Sequence, residues 1–230
     1  MEDTLFKHKY TIDKGISGFS LKIIAIITML LDHIGLSFYP EHMMFRIIGR
    51  VSFPIFCFLI VEGYFHTNNI KKYLIRLSIF AIVSEIPFDM LMSGKIIDFK
   101  YQNVLFTLII GLMMLCAIER TLLPMNKTLW LVAAFAIAFF LRSDYTFYGV
   151  ALIYIFYHFR ERRDVGCLVF AVMSLVSGRI QSTAILAVPF ILLYDGRKGP
   201  KLADSKICKY GFYLFYPLHV IIIDVLKMLL

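Results

Sequence analysis

Charge is scarce in this chain. Only 17% of its 230 residues are Asp, Glu, Lys or Arg, where a soluble globular domain carries about a quarter. The sixty percent hydrophobic residues and mean hydropathy of +0.77 come in long blocks separated by short charged loops. That pattern excludes an ordinary soluble domain and predicts a polytopic α-helical membrane protein. Cysteine is also sparse. Cys57, Cys116, Cys167 and Cys208 are far apart and form no CxxC or Cys/His ligand pattern, so they read as small core residues, with no metal site expected. The first 18 residues are polar and no small-residue cleavage site follows the first apolar run, so no secretory signal is expected. The net charge of +8 does not predict a nucleic-acid partner, because its distribution follows a membrane rule.

What is present is a series of nine apolar segments: 19–39, 45–65, 72–92, 103–119, 128–141, 145–159, 164–177, 180–194 and 210–230. They predict an all-α polytopic bundle, one membrane domain over 1–230, with residues 1–18 as a cytoplasmic N-terminal segment. Several segments are shorter than the roughly 20 residues that cross a ~30 Å core. The fifth, seventh and eighth are therefore expected to tilt, break or pack inside the bundle, leaving eight to ten spans open.

Orientation follows from the basic residues of the loops. With the N-terminus inside, the inner segments hold Lys7, Lys9, Lys14 and Lys22, then Lys71, Lys72 and Arg76, and later the clusters around Arg160 and Arg197. The outer side holds only Arg46, Lys95, Lys100, Arg142, Arg179 and Lys227. The N-terminus is thus expected in the cytoplasm and the C-terminus outside. Most polar residues inside helices then gather in the outer half of the bundle.

Among them the pair Asp32-His33 stands near the outer end of the first apolar run, where ionisable groups are costly without partners or a task. An imidazole titrates near neutral pH, so His33 is the candidate general base. Neighbouring helix side chains point about 100° apart, so Asp32, Asp144 and Glu85 are alternative candidates to orient it; the blander alternative pairs Asp32 with Arg46. Arg50 lies one turn after Arg46, ahead of Pro54, and would neutralise Asp32, Glu85 or Asp89 or face a developing oxyanion. Glu62 and His66 read as a helix-end pair. Asn103 and Thr107 share a face, with Asn103 either a helix cap or an oxyanion donor. Tyr216 and His219 share a face beside Pro217, which is expected to break its helix. Gln181 opens the eighth segment on the outer side. The basic inner loops are explained by positive-inside anchoring, with phosphate binding as a possible second use.

These pieces resemble the TraX family, membrane proteins named for the acetylase of conjugative pilin. The resemblance rests on Thr28-Met29-Leu30-Leu31-Asp32-His33-Ile34-Gly35, Gly49-Arg50-Val51-Ser52-Phe53-Pro54-Ile55-Phe56 and Val61-Glu62-Gly63-Tyr64. It continues through Tyr73-Leu74-Ile75-Arg76-Leu77, Ser84-Glu85-Ile86-Pro87-Phe88-Asp89 and Asn103-Val104-Leu105-Phe106-Thr107. Tyr194-Asp195-Gly196-Arg197-Lys198-Gly199 and Phe215-Tyr216-Pro217-Leu218-His219 close the series, which runs in order through nearly the whole chain.

The family is similar to a wider group of membrane acyltransferases that move acetyl from cytoplasmic acetyl-CoA to an outer acceptor. The resemblance implies a bacterial cytoplasmic-membrane acetyltransferase with His33 catalytic and Asp32 or Asp144 orienting it, while Arg50 and Asn103 face the oxyanion. It implies acetyl-CoA phosphates on Arg160, Arg162, Arg163, Arg197 and Lys198. Glu85, Asp89, Gln181, Tyr216 and His219 would touch the acceptor, a peptide N-terminus, glycan or amino sugar. The rival expectations are a proton-coupled carrier and a non-catalytic assembly protein.

Overall fold

The structure, a computed structural model, describes residues 15–200 and 205–230. The N-terminal segment through residue 14, with Lys7, Lys9 and Lys14, and the loop residue Lys201 lie outside them. Among the described residues the chain is all helical, with no strand and only two isolated β-bridges.

Each expected apolar segment is helical. The first is α1 (Gly18–Phe38); the second divides into α2 (Met43–Gly49) and α3 (Ser52–His66). Then come α4 (Ile70–Ser93), α5 (Val104–Glu119), α6 (Pro124–Phe140), α7 (Thr146–His158) and α8 (Arg163–Val176). The eighth segment breaks into α9 (Arg179–Ser182), a 3₁₀ turn (Thr183–Ala187) and α10 (Val188–Leu192), and the last is α11 (Lys206–Leu229). Three stretches are long and apolar enough to cross a membrane: Gly18–Phe38, Met43–His66 and Ile207–Leu229.

Local chemistry sets these boundaries. Ser17, Asn69, Asn103 and Ser205 accept backbone amides as side-chain N-caps of α1, α4, α5 and α11. The α2/α3 break falls at Arg50-Val51, four residues before Pro54. A proline ring collides with the carbonyl four residues upstream, so Pro54 divides the segment at Arg50 instead of kinking it at its own position. Pro217 behaves differently from expectation. It lies inside α11, which runs through it unbroken, as apolar helices packed on neighbours tolerate.

In the packing, α1 lies against α2, α3 and α11, α11 against α4, α4 against α5, and α5 against α6 and α7. Leu21, Ala25, Ile55, Leu112 and Ile153, on these helices, are fully buried. Small residues allow the closest one: a Cβ added at Gly49 would collide with the Asp32 side chain, which brings α2 directly onto α1. Outward, α4 presents Ile75, Ile79, Ile82 and Ile86, an apolar stripe at helical spacing of the kind lipid covers.

Candidate functional site

Two histidines from distant parts of the chain meet where α1 crosses α11. His33 Nδ1 lies 2.7 Å from His219 Nε2, with the rings stacked at 4.9 Å and 10° apart. His219 is buried and His33 half-buried. The proton in this contact has one place to be. His219 Nδ1 is 2.8 Å from the Phe215 carbonyl oxygen, which only accepts, so Nδ1 carries the hydrogen and Nε2 of the neutral ring is an acceptor. His33 must then donate from Nδ1, and its Nε2 is left with a free lone pair. No hydrogen bond to that nitrogen occurs among the described residues. The result is an imidazole held by a second imidazole, with its remaining nitrogen free.

Asp32, the expected orienting residue, is engaged elsewhere. Its carboxylate accepts Arg46 Nη1 at 2.8 Å and Arg50 Nη2 at 3.1 and 3.2 Å. The two guanidiniums one turn apart therefore clasp one buried acid, at the point where Gly49 allows contact. Arg50 also donates from Nη1 to the Tyr145 hydroxyl at 3.0 Å. Its Nε–H is buried without a partner, a donor still available beside the pair.

Asp144, the other orienting candidate, accepts its neighbour Tyr145 N at 2.9 Å, and its backbone carbonyl accepts the Thr107 hydroxyl. Tyr145 is held at φ 61°, a region disfavoured for a residue with a side chain, and its ring stacks on Phe53 at 3.8 Å. Sequence reasoning passed over Tyr145, since nothing in its neighbours announces a left-handed tyrosine.

Asn103 is the helix cap, and it is saturated. It accepts Leu105 N at 3.0 Å and donates to the Ala81 carbonyl at 2.9 Å and to Glu85 Oε2. Both amide hydrogens are consumed, so the oxyanion role expected of it has no donor left. Glu85 Oε1 is buried and unpartnered. Asp89 accepts Asp98 N at 2.7 Å, which closes the loop after α4. Gln181 sits on α9 with its amide nitrogen buried and unpartnered. Tyr216 is buried, edge-on to His219 with centroids 5.7 Å apart.

A cavity of about 310 Å³ approaches this centre from the end of the bundle that carries the basic loops. Lys22, Arg76, Lys198 and Lys209 line it together with Glu62 and His66; Met29, Val104 and Tyr216 also border it. The basic residues expected to bind phosphate are mostly committed to other contacts. Arg160 pairs with Glu62 at 3.3 Å and lies over Phe65. Arg163 is buried between Phe58 and Tyr194, donating to the Tyr194 carbonyl. Arg197 is clasped to Asp195 at 2.6 Å, and Arg162 sits in the 3₁₀ turn outside the lining. Only Lys198 of that set borders the cavity. On the opposite side of His219, a second, apolar groove of about 630 Å³ runs between α1 and α11, bounded by Ile34, Phe38, Phe215 and Ile223.

Sequence comparison places the chain among known proteins. It is 33% identical to a probable fimbrial assembly protein, FimC of serogroup H1, from Dichelobacter nodosus, covering 93% of this chain and 97% of that one. An uncharacterised protein of Rickettsia prowazekii (strain Madrid E) is 37% identical over 91 residues, 40% of this chain and 33% of that one. No solved structure matches. The description of the TraX protein family matches residues 17–227. With most of its length covered, the chain belongs to the TraX family.

Proposed function

We propose that this protein is an integral membrane acetyltransferase of the bacterial cytoplasmic membrane, crossing the bilayer about nine times with its N-terminus inside. It takes acetyl-CoA from the basic inner side and delivers the acetyl group to an amine or hydroxyl at the outer face. The observation that carries this reading is the directional His33–His219 hydrogen bond, which leaves His33 Nε2 as an oriented base in the outer half of α1.

In the proposed reaction the acceptor nucleophile attacks the thioester carbonyl while His33 Nε2 takes its proton. The developing oxyanion is stabilised by the Arg50 Nε–H, which has no other partner. Collapse breaks the carbon–sulfur bond, and the departing thiolate takes the proton back from His33. The products are the acetylated acceptor and CoA thiol. Asp32 and Tyr145 position Arg50, and His219 positions His33.

The relative's name supports a subunit of a surface appendage as the acceptor, through its peptide N-terminus or a sugar it carries. It supports a non-catalytic assembly role as well. The unpartnered buried oxygens of Glu85 and Asp224 are what a proton-coupled carrier would use.

Purified protein in neutral-lipid nanodiscs, given acetyl-CoA and membranes of its host, separates these. CoA thiol release that requires the membranes and disappears in His33→Gln supports the enzyme. Folded wild type that releases no CoA thiol under those conditions removes it.

A further inference from the structure

The connection from α4 to α5, residues 94–102, turns its apolar side chains outward. Ile96, Ile97, Phe99 and Tyr101 are between 61% and 84% exposed, and Phe140, at the same end of α6, is 81% exposed. A lone exposed apolar residue is ordinary, but four in one short loop need a cover. Three cations stand among them, Lys95, Lys100 and Arg142, all exposed. The one carboxylate within the loop, Asp98, lies near Lys95 and Lys100 and accepts Lys100 N at 3.1 Å. Asp89 is buried beneath it, on Asp98 N. The outward surface is therefore apolar with an excess of positive charge.

The loop has a fixed shape. α4 ends on Gly94 at φ 70°, a left-handed cap that turns the chain sharply. Asp98 N on the Asp89 carboxylate at 2.7 Å closes the first part. At the far end Gln102 N donates to the Arg142 carbonyl at 3.1 Å, and Asp144 N donates to the Gln102 carbonyl at 2.9 Å. These bonds join the loop to the end of α6 and to the turn whose Tyr145 accepts from Arg50. Anchored at both ends, the apolar side chains are kept from folding inward.

Helix lengths set the depth of the loop. α4 has 24 residues and rises about 36 Å, more than the ~30 Å hydrocarbon core of a bilayer. α5 and α6 have 16 and 17 residues and rise about 24 to 26 Å, less than that core. With their other ends level at the opposite boundary, α4 emerges among headgroups while α5 and α6 end below them. The chain from Ser93 to Asn103 thus crosses the boundary between headgroups and acyl chains. Aromatic rings and snorkelling lysines are favoured there.

We infer that this loop and the end of α6 form a docking surface for anionic phospholipid. Ile96, Ile97, Phe99 and Tyr101 sit at the acyl boundary, and Lys95, Lys100 and Arg142 meet lipid phosphates. The depth of the loop selects lipid as its cover, and the excess of positive charge selects an anionic headgroup. Such seating requires only that the bundle cross a bilayer, and it is independent of acetyl transfer. Through Gln102 and Arg142 it also fixes the depth of the Asp144-Tyr145 turn.

The chain has a single tryptophan, so Trp130→Phe combined with Phe99→Trp carries one reporter, on the loop. The full-length double variant is placed in phosphatidylcholine–phosphatidylglycerol nanodiscs, where both faces meet water. Its fluorescence is quenched by acrylamide, by lipid brominated near the headgroup and by lipid brominated near the chain ends. Acrylamide should quench it several-fold less than a free tryptophan amide, and bromine near the headgroup should quench it more than deep bromine. At equal mole fraction, brominated phosphatidylglycerol should quench about threefold or more better than brominated phosphatidylcholine, since each cation at an anionic surface adds a few-fold. Lys95→Gln, Lys100→Gln and Arg142→Gln together should erase that preference, while Lys127→Gln, at the other end of the bundle, should keep it. Ile97→Trp serves as the reporter where Phe99→Trp fails to fold.

Acrylamide quenching equal to that of the free amide overturns the lipid seat, because the loop then stands in water. Protection from acrylamide without quenching by either brominated lipid overturns it as well, and shows a protein cover instead. An unchanged lipid preference in the triple variant removes the cations from the phosphates, and with them the anionic-lipid assignment. Absence of acetyl transfer would leave all of these results as they are.

Discussion

His33 donates to His219, and not the reverse. The 2.7 Å contact between their nitrogens is directional because His219 spends its only hydrogen on the Phe215 carbonyl one turn back along α11. A helix carbonyl thus decides which nitrogen of a residue on another helix keeps a free lone pair. The arrangement parallels a carboxylate–histidine pair, with a neutral imidazole in the carboxylate's place and no added charge in an apolar setting.

The two histidines are therefore expected to respond differently to substitution. His33→Gln cannot take a proton and should lower acetyl transfer by about 10²–10⁴-fold, the usual contribution of a positioned base. His219→Gln retains an acceptor for the His33 Nδ1–H and should be milder. His219→Leu strands that hydrogen and should fall between glutamine at 219 and glutamine at 33. Initial rates on folded, purified variants check the ranking; equal losses in His219→Gln and His219→Leu would mean that the hydrogen bond is irrelevant.

Asp32 is the shared partner of Arg46 and Arg50, so its removal should hurt folding more than removal of either arginine. Asp32→Ala leaves two guanidiniums facing each other in a buried place and should cost about 3–5 kcal/mol. Arg46→Ala leaves Arg50 in position and should cost less. Gly49→Ala tests the same contact sterically: its Cβ would occupy the space of the Asp32 side chain, an overpacking worth about 1–3 kcal/mol. Thermal melts in a fixed detergent report all three.

Much of this fold was legible in the sequence. Long apolar blocks allow little but helices, and every block is helical, though the second and eighth are broken into shorter pieces. Side-chain partners across helices were not. His33 and His219 are separated by 186 positions, and periodicity says which face of a helix is polar without saying which helix it meets. The Asp32–Arg46 pairing was readable because it lies across a single turn between adjacent elements. The contacts made by the basic loop residues were hidden for a related reason. A cluster such as Arg160 to Arg163 looks available in sequence, but Glu62 and the Tyr194 carbonyl engage two of its members.

Asn103 joins three elements through one side chain: the start of α5, the Ala81 carbonyl and Glu85. Asn103→Ala removes the cap, for about 1 kcal/mol, and leaves the Glu85 carboxylate without its side-chain donor, for about 1–3 kcal/mol more. Asn103→Asp keeps the cap but places a second carboxylate against Glu85, and should be the worse of the two near neutral pH. A melt in which the alanine variant equals wild type would show that this network does not stabilise the fold.

Sidedness is checked by single cysteines placed at Lys95 and Lys127 in a protein whose native cysteines are replaced. Lys95 should react with an impermeant maleimide on intact cells and Lys127 only after lysis. The opposite pattern would reverse the proposed orientation and, with it, the side from which the donor enters.

The loop that carries Lys198 should be sensitive to acid. Burial of Asp195 works to raise its pKa, but hydrogen bonds and charge from Arg197 more than offset this and hold the carboxyl below its ordinary 3.8. A carboxylate depressed in the folded state contributes stability above its unfolded pKa and loses it as pH falls through the folded value. The contribution is thus complete at neutral pH and declines from about pH 4 downward. Asp195→Asn lacks it at every pH. Melting temperatures of the two proteins should differ by a constant amount between about pH 7 and 5 and converge below about pH 4. A gap that stays constant down to pH 3 would mean that the Asp195–Arg197 ion pair does not hold this loop, and that the backbone bonds to α1 suffice to place Lys198.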